Sequence, residues 1–214
     1  MPEDVARALG LDGGAGAARR ARLETYVTAL VKWQRRINLI GPATVADIWH
    51  RHILDCGQLV SLILAEPLRI CDLGSGAGLP GLVLAALDIG VGEGGCLDLV
   101  ESDSRKAAFL REANRLMGTH ARIENRRIEE MAETGTGGYD IITARALAPL
   151  PKLLEMSNNL LKTGGKLLFL KGKTGDAELT ESEKAWKMRA TKMPSASDSE
   201  GVILLIKDLE RRHG

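Results

Sequence analysis

The sequence predicts an α/β protein: a doubly wound, mostly parallel sheet with an antiparallel C-terminal strand, preceded by an N-terminal helical cap. Three observations predict it. From residue 67 onward, short apolar runs alternate with amphipathic helical stretches, the pattern of βαβ units. The first apolar run ends in a glycine-rich turn that opens a helix. The alternation breaks near the end, where two strand-like segments flank a short turn and therefore pair antiparallel.

Each element rests on a local signal. Residues 13–16 (GGAG) read as a flexible spacer. In residues 19–40, Leu23, Val27, Leu30 and Val31, with Gln34 or Ile37, fall on one face at 3–4 spacing and predict a helix that Gly41-Pro42 stops. Thr44 is placed to cap a second helix carrying Val45, Ile48, Trp49, His52, Ile53 and Cys56. Residues 68–73 (LRICDL) predict the first strand, 78–87 a helix with Pro80 in its first turn, 90–95 a loop, and 97–100 a second strand ending at Glu101. Ser104–Met117 is amphipathic, with Ala107, Phe109, Leu110, Ala113 and Leu116 as its apolar face. Residues 121–124, 139–143 (YDIIT) and 166–170 (KLLFL) predict three more strands. A helix at 153–161 precedes the last of these, and Gly164-Gly165 turns into it. Residues 176–186 predict a helix, and 188–193 and 202–206, joined at 194–201 (PSASDSEG), predict the antiparallel pair. On this reading residues 1–66 form a helical extension and 67–214 one compact unit.

Composition narrows the functional classes. At 214 residues the chain is long enough for one domain that buries its core without staples. Lys and Arg number 29 against 28 Asp and Glu, so a net charge of +1 implies no partner. Three Trp, two Tyr and two Phe are too few for an aromatic platform that stacks several bases. Cys56, Cys71 and Cys96 lie far apart with no Cys/His ligand spacing, which predicts buried, reduced thiols and no metal. Residues 1–10 carry acids and no apolar signal-peptide core, and no apolar run approaches the ~20 residues that span a bilayer. These readings predict a cytoplasmic protein without a membrane partner. They leave the 24 glycines to be explained.

The informative glycines sit in residues 70–82 (ICDLGSGAGLPGL). An apolar strand runs into Asp72; Gly74, Gly76 and Gly78 then alternate, and Gly81 follows. A tight strand-to-helix turn needs positive φ, which glycine adopts cheaply. Without Cβ atoms the backbone can touch a ligand at the carboxyl ends of the strands. Two cofactors suit this loop. Read from Gly76, GAGLPG matches G-x-G-x-x-G, the fingerprint of an NAD-type Rossmann oxidoreductase. Read from Asp72, an acid followed by G-x-G-x-G resembles motif I of class I S-adenosyl-L-methionine (SAM) methyltransferases. Both want an acid at the end of the second strand for ribose hydroxyls, and Glu101 supplies it. Asp72 favours the methyltransferase reading. Just ahead of the glycines it can reach the cofactor's amino group, directly or through water, whereas a pyrophosphate there would meet its carboxylate. A non-enzymatic RNA-binding Rossmann-like module that keeps the loop is a third reading.

Other segments narrow the family. In order they are Arg51-His52-Ile53-Leu54-Asp55 (RHILD), Gly78-Leu79-Pro80-Gly81, Glu101-Ser102 with Arg105-Lys106 and Phe109-Leu110, Arg127-Ile128-Glu129-Glu130, Ala144-Arg145-Ala146 and Leu170-Lys171-Gly172. Together they resemble the bacterial 16S rRNA guanine-N7 methyltransferase G family, also known as the glucose-inhibited division protein B family. The likeness covers roughly residues 20–210. It implies a Rossmann-like class I methyltransferase domain over 67–214, SAM as cofactor, and 16S rRNA or the small ribosomal subunit as substrate. The methylated atom would be N7 of the guanine at position 527 in standard 16S rRNA numbering. Carried onto matching positions, the resemblance implies cofactor contacts from Gly74, Leu79, Ile128, Glu129 and Arg145, with Glu101 on the ribose. Asp72, Gly76 and Gly78 complete the predicted cofactor loop. There are departures: Cys56 stands where the family often has Ser, ARAL at 144–147 where it usually has SRAF, and GSGAG where it often has GTGPG. They sit beside the matching residues and bear on the base pocket more than on the cofactor site.

The charges are unevenly spread. Between Arg19 and Arg51 there are seven Lys or Arg against two acids, and between Arg105 and Arg127 again seven against two. Lys171 and Lys173 follow the fifth strand, at the ligand end of the sheet, and with Arg145 they are the predicted RNA contacts. Guanine N7 has an in-plane lone pair and no proton, so no residue is expected to act as acid or base. Arg145 is the expected positioning residue, between cofactor and incoming base. His52 is expected to pack the cap against the sheet, and Trp33 and Trp49 to lie in the core. The chain is expected to act as a monomer.

Overall fold

The computed structural model describes residues 1–63, 68–90, 94–133 and 136–212. Its centre is a seven-stranded sheet in the order β3-β2-β1-β4-β5-β7-β6. The strands are β1 (Arg69–Leu73), β2 (Cys96–Val100), β3 (Arg122–Glu124), β4 (Tyr139–Arg145), β5 (Leu161–Lys171), β6 (Trp186–Pro194) and β7 (Val202–Arg211). The first five run parallel, and β7 is antiparallel to both β5 and β6. The two halves wind outward from β1 and β4, so the switch point lies between these central strands.

Strand side chains alternate between two cores, as a pleat requires. Ile70, Leu97, Leu99, Ile141, Leu168 and Leu170 join one core; Cys71, Leu73, Val100, Ile142, Leu167 and Phe169 join the other. The first is covered by α2 (Gly14–Gln34), α4 (Gly81–Ala86) and α5 (Ser104–Met117). The second is covered by α6 (Ile128–Glu133), α7 (Leu150–Asn158) and α8 (Gly175–Ala185). The N-terminal helices contribute to the first core directly: Leu23, Tyr26 and Leu30 of α2 are fully buried there. Tyr26, three residues after Leu23 and four before Leu30 on the same face, donates to the Ala77 carbonyl at 2.6 Å and ties the cap to the glycine loop. Trp33 stacks at a tilt on Phe109 of α5, with ring centroids 5.7 Å apart.

Several sequence expectations are corrected in detail. A first helix, α1 (Glu3–Ala8), was not foreseen. The glycines at 14–16 belong to α2 rather than to a spacer, and only Gly13, with φ 94°, turns the chain ahead of it. The helix stops at Gln34, short of the expected end at 40, because the Gln34 side chain folds back on the chain. Its Oε1 accepts from Leu39 N and Ile40 N, and its Nε2 donates to Ile40 O. The expected second helix is a broken series: a 3₁₀ segment (Pro42–Asp47), a π-turn segment (Trp49–Leu54), one turn of α3 (Asp55–Gly57) and a second 3₁₀ segment (Gln58–Leu62). Thr44 caps no helix; its hydroxyl donates to Gly41 O and meets His52 Nε2 at 2.7 Å. On α5, Leu116 is exposed and Met117 takes its place in the core. Gly164 and Gly165 form a bulge within β5: Leu161 pairs with Tyr139, but Lys166 already pairs with Ile141. Cys56 and Cys71 are buried as expected, where burial pushes their thiols up in pKa, but Cys96 is only half-buried. The boundary between 66 and 67 lies outside the described residues, as do residues 91–93 of the predicted loop at 90–95.

Candidate active site

A cavity of about 850 Å³ opens at the carboxyl ends of β1, β2 and β4. Its floor is the glycine loop. Gly74 (φ 61°) and Gly76 (φ 54°) both lie in the left-handed region, and a Cβ on Gly74 would stand 2.4 Å from Leu147 Cδ1. Gly74, Gly76 and Leu79 line the cavity, joined by Glu101 from the end of β2 and by Ile128 and Glu129 at the start of α6. Glu101 Oε2 accepts from Gly76 N at 2.9 Å and Oε1 from Asp103 N at 2.7 Å. A carboxylate has about four lone-pair sites, so two remain for hydroxyl donors.

Two of the predicted loop contacts lie off the cavity surface. Gly78 is buried, lines no part of the cavity and serves the turn, its N–H bonded to Ser75 O at 2.6 Å. Asp72 is fully buried beneath the loop and has no surface on the cavity. Its Oδ1 accepts from the Thr143 hydroxyl at 2.8 Å and its Oδ2 from Gly81 N at 3.1 Å. Gly81 is glycine because this approach leaves no room: a Cβ there would lie 2.8 Å from Asp72 Oδ2 and 2.7 Å from Leu99 Cγ. Asp72 therefore shapes the loop from below. Burial pushes its carboxyl up to about 6; the bonds from Thr143 and Gly81 act in the opposite direction.

Arg145 ends β4 and points across the cavity mouth to the RHILD segment. Its Nε donates to Asp55 Oδ2 (3.0 Å), Nη1 to His52 Nδ1 (3.0 Å) and Nη2 to Arg51 O (2.8 Å). Three of five N–H groups are thus fixed, and two remain on the terminal nitrogens. His52 is buried, and burial together with the adjacent Arg145 pushes its pKa down to about 4. It is a neutral imidazole: Nδ1 accepts from Arg145, so Nε2 carries the proton and donates to Thr44 Oγ1.

The other end of the arginine's support was invisible in the sequence. Asp55 Oδ1 accepts from Ser195 Oγ and Ser197 Oγ, each at 2.8 Å, and from Gln58 Nε2 at 3.1 Å. Both serines belong to the turn between β6 and β7, which Arg51 also grips through Asp198 at 2.9 Å. The C-terminal hairpin is thus latched onto the RHILD segment, and Asp198 and Gly201 form part of the cavity wall. No local motif announces Ser195 or Ser197 as partners of Asp55.

The predicted lysines separate. Lys171 lines the cavity, but its ammonium pairs with Glu178 at 2.6 Å and donates to Ala148 O at 3.0 Å, with only 10% of the side chain exposed. Its charge is already matched within the chain. Lys173 is exposed but lines no part of the cavity.

The antiparallel β7 between β5 and β6, with the glycine loop after β1 and an acid ending β2, defines a class I SAM-dependent methyltransferase; a dinucleotide-binding sheet keeps its sixth strand parallel in the 3-2-1-4-5-6 order. Solved structures share this fold. The ribosomal protein L11 methylase of Lactobacillus delbrueckii subsp. bulgaricus aligns with TM-score 0.57 at 18% identity over 77% of this chain and 80% of its own. An O-methyltransferase from Bacillus cereus, solved in complex with SAH, aligns with TM-score 0.57 at 14% identity over 86% and 91%. Residues 19–203 match the family model GidB, described as rRNA small subunit methyltransferase G, and the chain belongs to that family. It is 50% identical over 192 residues to the ribosomal RNA small subunit methyltransferase G of Paramagnetospirillum magneticum, covering 89% of each chain. It is 46% identical to that of Rhodospirillum rubrum, over 89% of this chain and 90% of the relative.

Proposed function

We propose that the chain methylates N7 of the guanine at position 527 of 16S rRNA, using SAM as methyl donor. The observation that carries this reading is Arg145, held by Asp55 and His52 at the mouth of a glycine-floored cavity with two N–H groups unengaged. The cavity fits the cofactor. Gly74 and Gly76 bring backbone rather than side chains to it, and Glu101 offers free lone pairs to ribose hydroxyls. Leu79 and Ile128 provide apolar walls for an adenine, and Glu129 stands beside them. When bound, SAM supplies an electrophilic methyl group on a sulfonium.

Guanine presents N7 and O6 as adjacent acceptors on one edge. The free N–H groups of Arg145 suit O6 and would orient N7 without protonating it. N7 attacks with a lone pair, so no group of this chain is assigned as acid or base; alignment and exclusion of water do the work. Lys173 is an RNA phosphate contact in this reading. In this reading the chain acts as a monomer without a metal, in the cytoplasm where ribosomes are assembled.

The reading is tested by transfer of labelled methyl to unmodified small-subunit particles and to naked 16S rRNA, with 7-methylguanosine mapped in the product. A single modified guanine at 527 is expected. SAM binding without transfer to either substrate would leave only a binding module. Glu101→Gln checks the cofactor site separately. A glutamine cannot accept from both Gly76 N and Asp103 N without turning its NH₂ toward one of them. SAM affinity by calorimetry is expected to fall about 10- to 100-fold, the range for losing charged hydrogen bonds.

A further inference from the structure

The two basic stretches of the sequence meet at one place. Packing of Trp33 on Phe109 joins the C-terminal end of α2 to the N-terminal half of α5. Arg36 follows Trp33 by three residues, and Arg105 and Lys106 precede Phe109 by one helical turn. The ring contact therefore brings these three cations together across 69 residues of sequence or more. They line a cleft of about 390 Å³ with Ile37, Asn38 and Asp103.

The cleft adjoins the active-site cavity. Lys106 lines both, and the strip of chain after α2 serves both: Ile37 and Asn38 face the cleft, Leu39, Ile40 and Gly41 the cavity. Its charge is largely uncommitted. Arg36 and Lys106 have no ion-pair partner among the described residues, and Arg105 makes one long contact to Asp103 at 3.5 Å. Asp103, the acid in the cleft, directs Oδ1 at the backbone N–H groups of Arg105 and Lys106, where it caps α5. Three cations thus face one carboxylate that is already engaged. Lys171, by contrast, is neutralised by Glu178 at the cavity rim.

We propose that this cleft is a phosphate-binding subsite that holds the RNA backbone beside the target guanine. The inference rests on rRNA being the substrate. A phosphodiester suits it better than a small metabolite: the walls are mostly polar and charged, and Lys106 is shared with the cavity where the base is expected. Backbone contacts of this kind fix register without reading sequence.

The test compares two double variants with equal charge loss. Arg36→Ala with Arg105→Ala removes cleft cations, whereas Lys32→Ala with Arg111→Ala removes exposed cations of α2 and α5 that do not line it. Binding of a labelled 16S rRNA transcript is followed by fluorescence anisotropy across a salt series, with methyl transfer and SAM affinity measured in parallel. The cleft pair is expected to weaken RNA binding about tenfold at 0.1 M salt and to flatten the log–log salt slope by between one and two, since each phosphate contact adds about 0.7 to 0.9. SAM affinity should stay at the wild-type value. Arg36→Lys with Arg105→Lys should keep the slope, because a phosphate accepts either cation. Equal RNA affinity and equal slope in the cleft and control pairs would overturn the subsite. Failure of the unaltered chain to transfer methyl would instead count against the substrate reading, while its RNA binding still decides the cleft.

Discussion

Arg145→Ala is expected to lower methyl transfer at least about 100-fold, the scale of loss when a positioning group is removed from an aligned reaction. It is also expected to cost roughly 3 kcal/mol of stability, because Asp55 would be left largely buried without its cation. The two effects must be separated. Adding Asp55→Asn removes the orphaned charge while keeping an acceptor oxygen for Ser195 and Ser197. The double variant Arg145→Ala/Asp55→Asn should regain most of the lost thermal stability and none of the lost transfer. Recovery of transfer along with stability would reduce Arg145 to a structural residue. Arg145→Lys should be nearly as inactive as Arg145→Ala. A single ammonium cannot meet Asp55, His52 and the Arg51 carbonyl together in the planar fork that holds the guanidinium.

What could be read from the chain beforehand follows the range of each interaction. The strands, the glycine loop and the acid after β2 rest on patterns of a few residues, and β1, β2, β4 and α5 fall where those patterns put them. The terminal hairpin was legible for the same reason: a short turn allows only antiparallel pairing. Contacts between distant segments were not legible. Tyr26 shares the face of α2 marked by Leu23 and Leu30, but only the folded loop reveals its carbonyl partner on Ala77. Lys171 reads as a free cation at a strand end until α8 folds back and brings Glu178 against it. RHILD was visible as a motif, but nothing local says that Asp55 bonds Arg145, 90 residues away, on one oxygen and a hairpin turn on the other. The broken helix around it has the same origin. The π-turn at Trp49–Leu54 accompanies Arg51, His52 and Asp55 all meeting Arg145, which the regular helix expected there would not predict.

That latch explains how a hairpin at the end of the chain shares in the site. Ser195, Ser197 and Asp198 hold Asp55 and Arg51, and those two residues hold or neighbour Arg145. The arginine is thus fixed from the sheet through its own backbone, from the helical cap through His52, and from the hairpin through Asp55. The departures from the family pattern lie around this frame without removing it. Leu147, standing where the family usually has Phe, packs against Gly74 at the cavity floor.

Asp72→Asn is expected to leave SAM affinity within about threefold of wild type and to stabilise the chain above neutral pH. The affinity follows from placement: the carboxylate has no surface on the cavity, so no direct contact is lost. A fall beyond about tenfold, the loss expected for a hydrogen bond to a charged group, would return Asp72 to the cofactor-touching role its place in the motif suggests. The stability follows from the proton. Burial raises the native carboxyl to about 6 from the ordinary 3.8, so between those values the folded chain binds more protons than the unfolded one. The contribution of this group to stability is fully present below pH 3.8 and is lost as pH rises through 6, a difference on the order of 3 kcal/mol. An asparagine does not ionise. Its Oδ1 can accept from Gly81 N while its Nδ2 donates to the Thr143 hydroxyl, the same pattern a protonated Asp72 would make. Denaturant titrations of both proteins from pH 4 to 8 should therefore show the wild type losing stability relative to the variant, with most of the difference developing between about pH 4 and 6 and little further change above about pH 7. Parallel curves across that range would mean that the buried carboxyl keeps an ordinary pKa, stabilised in its charged form by the loop it supports.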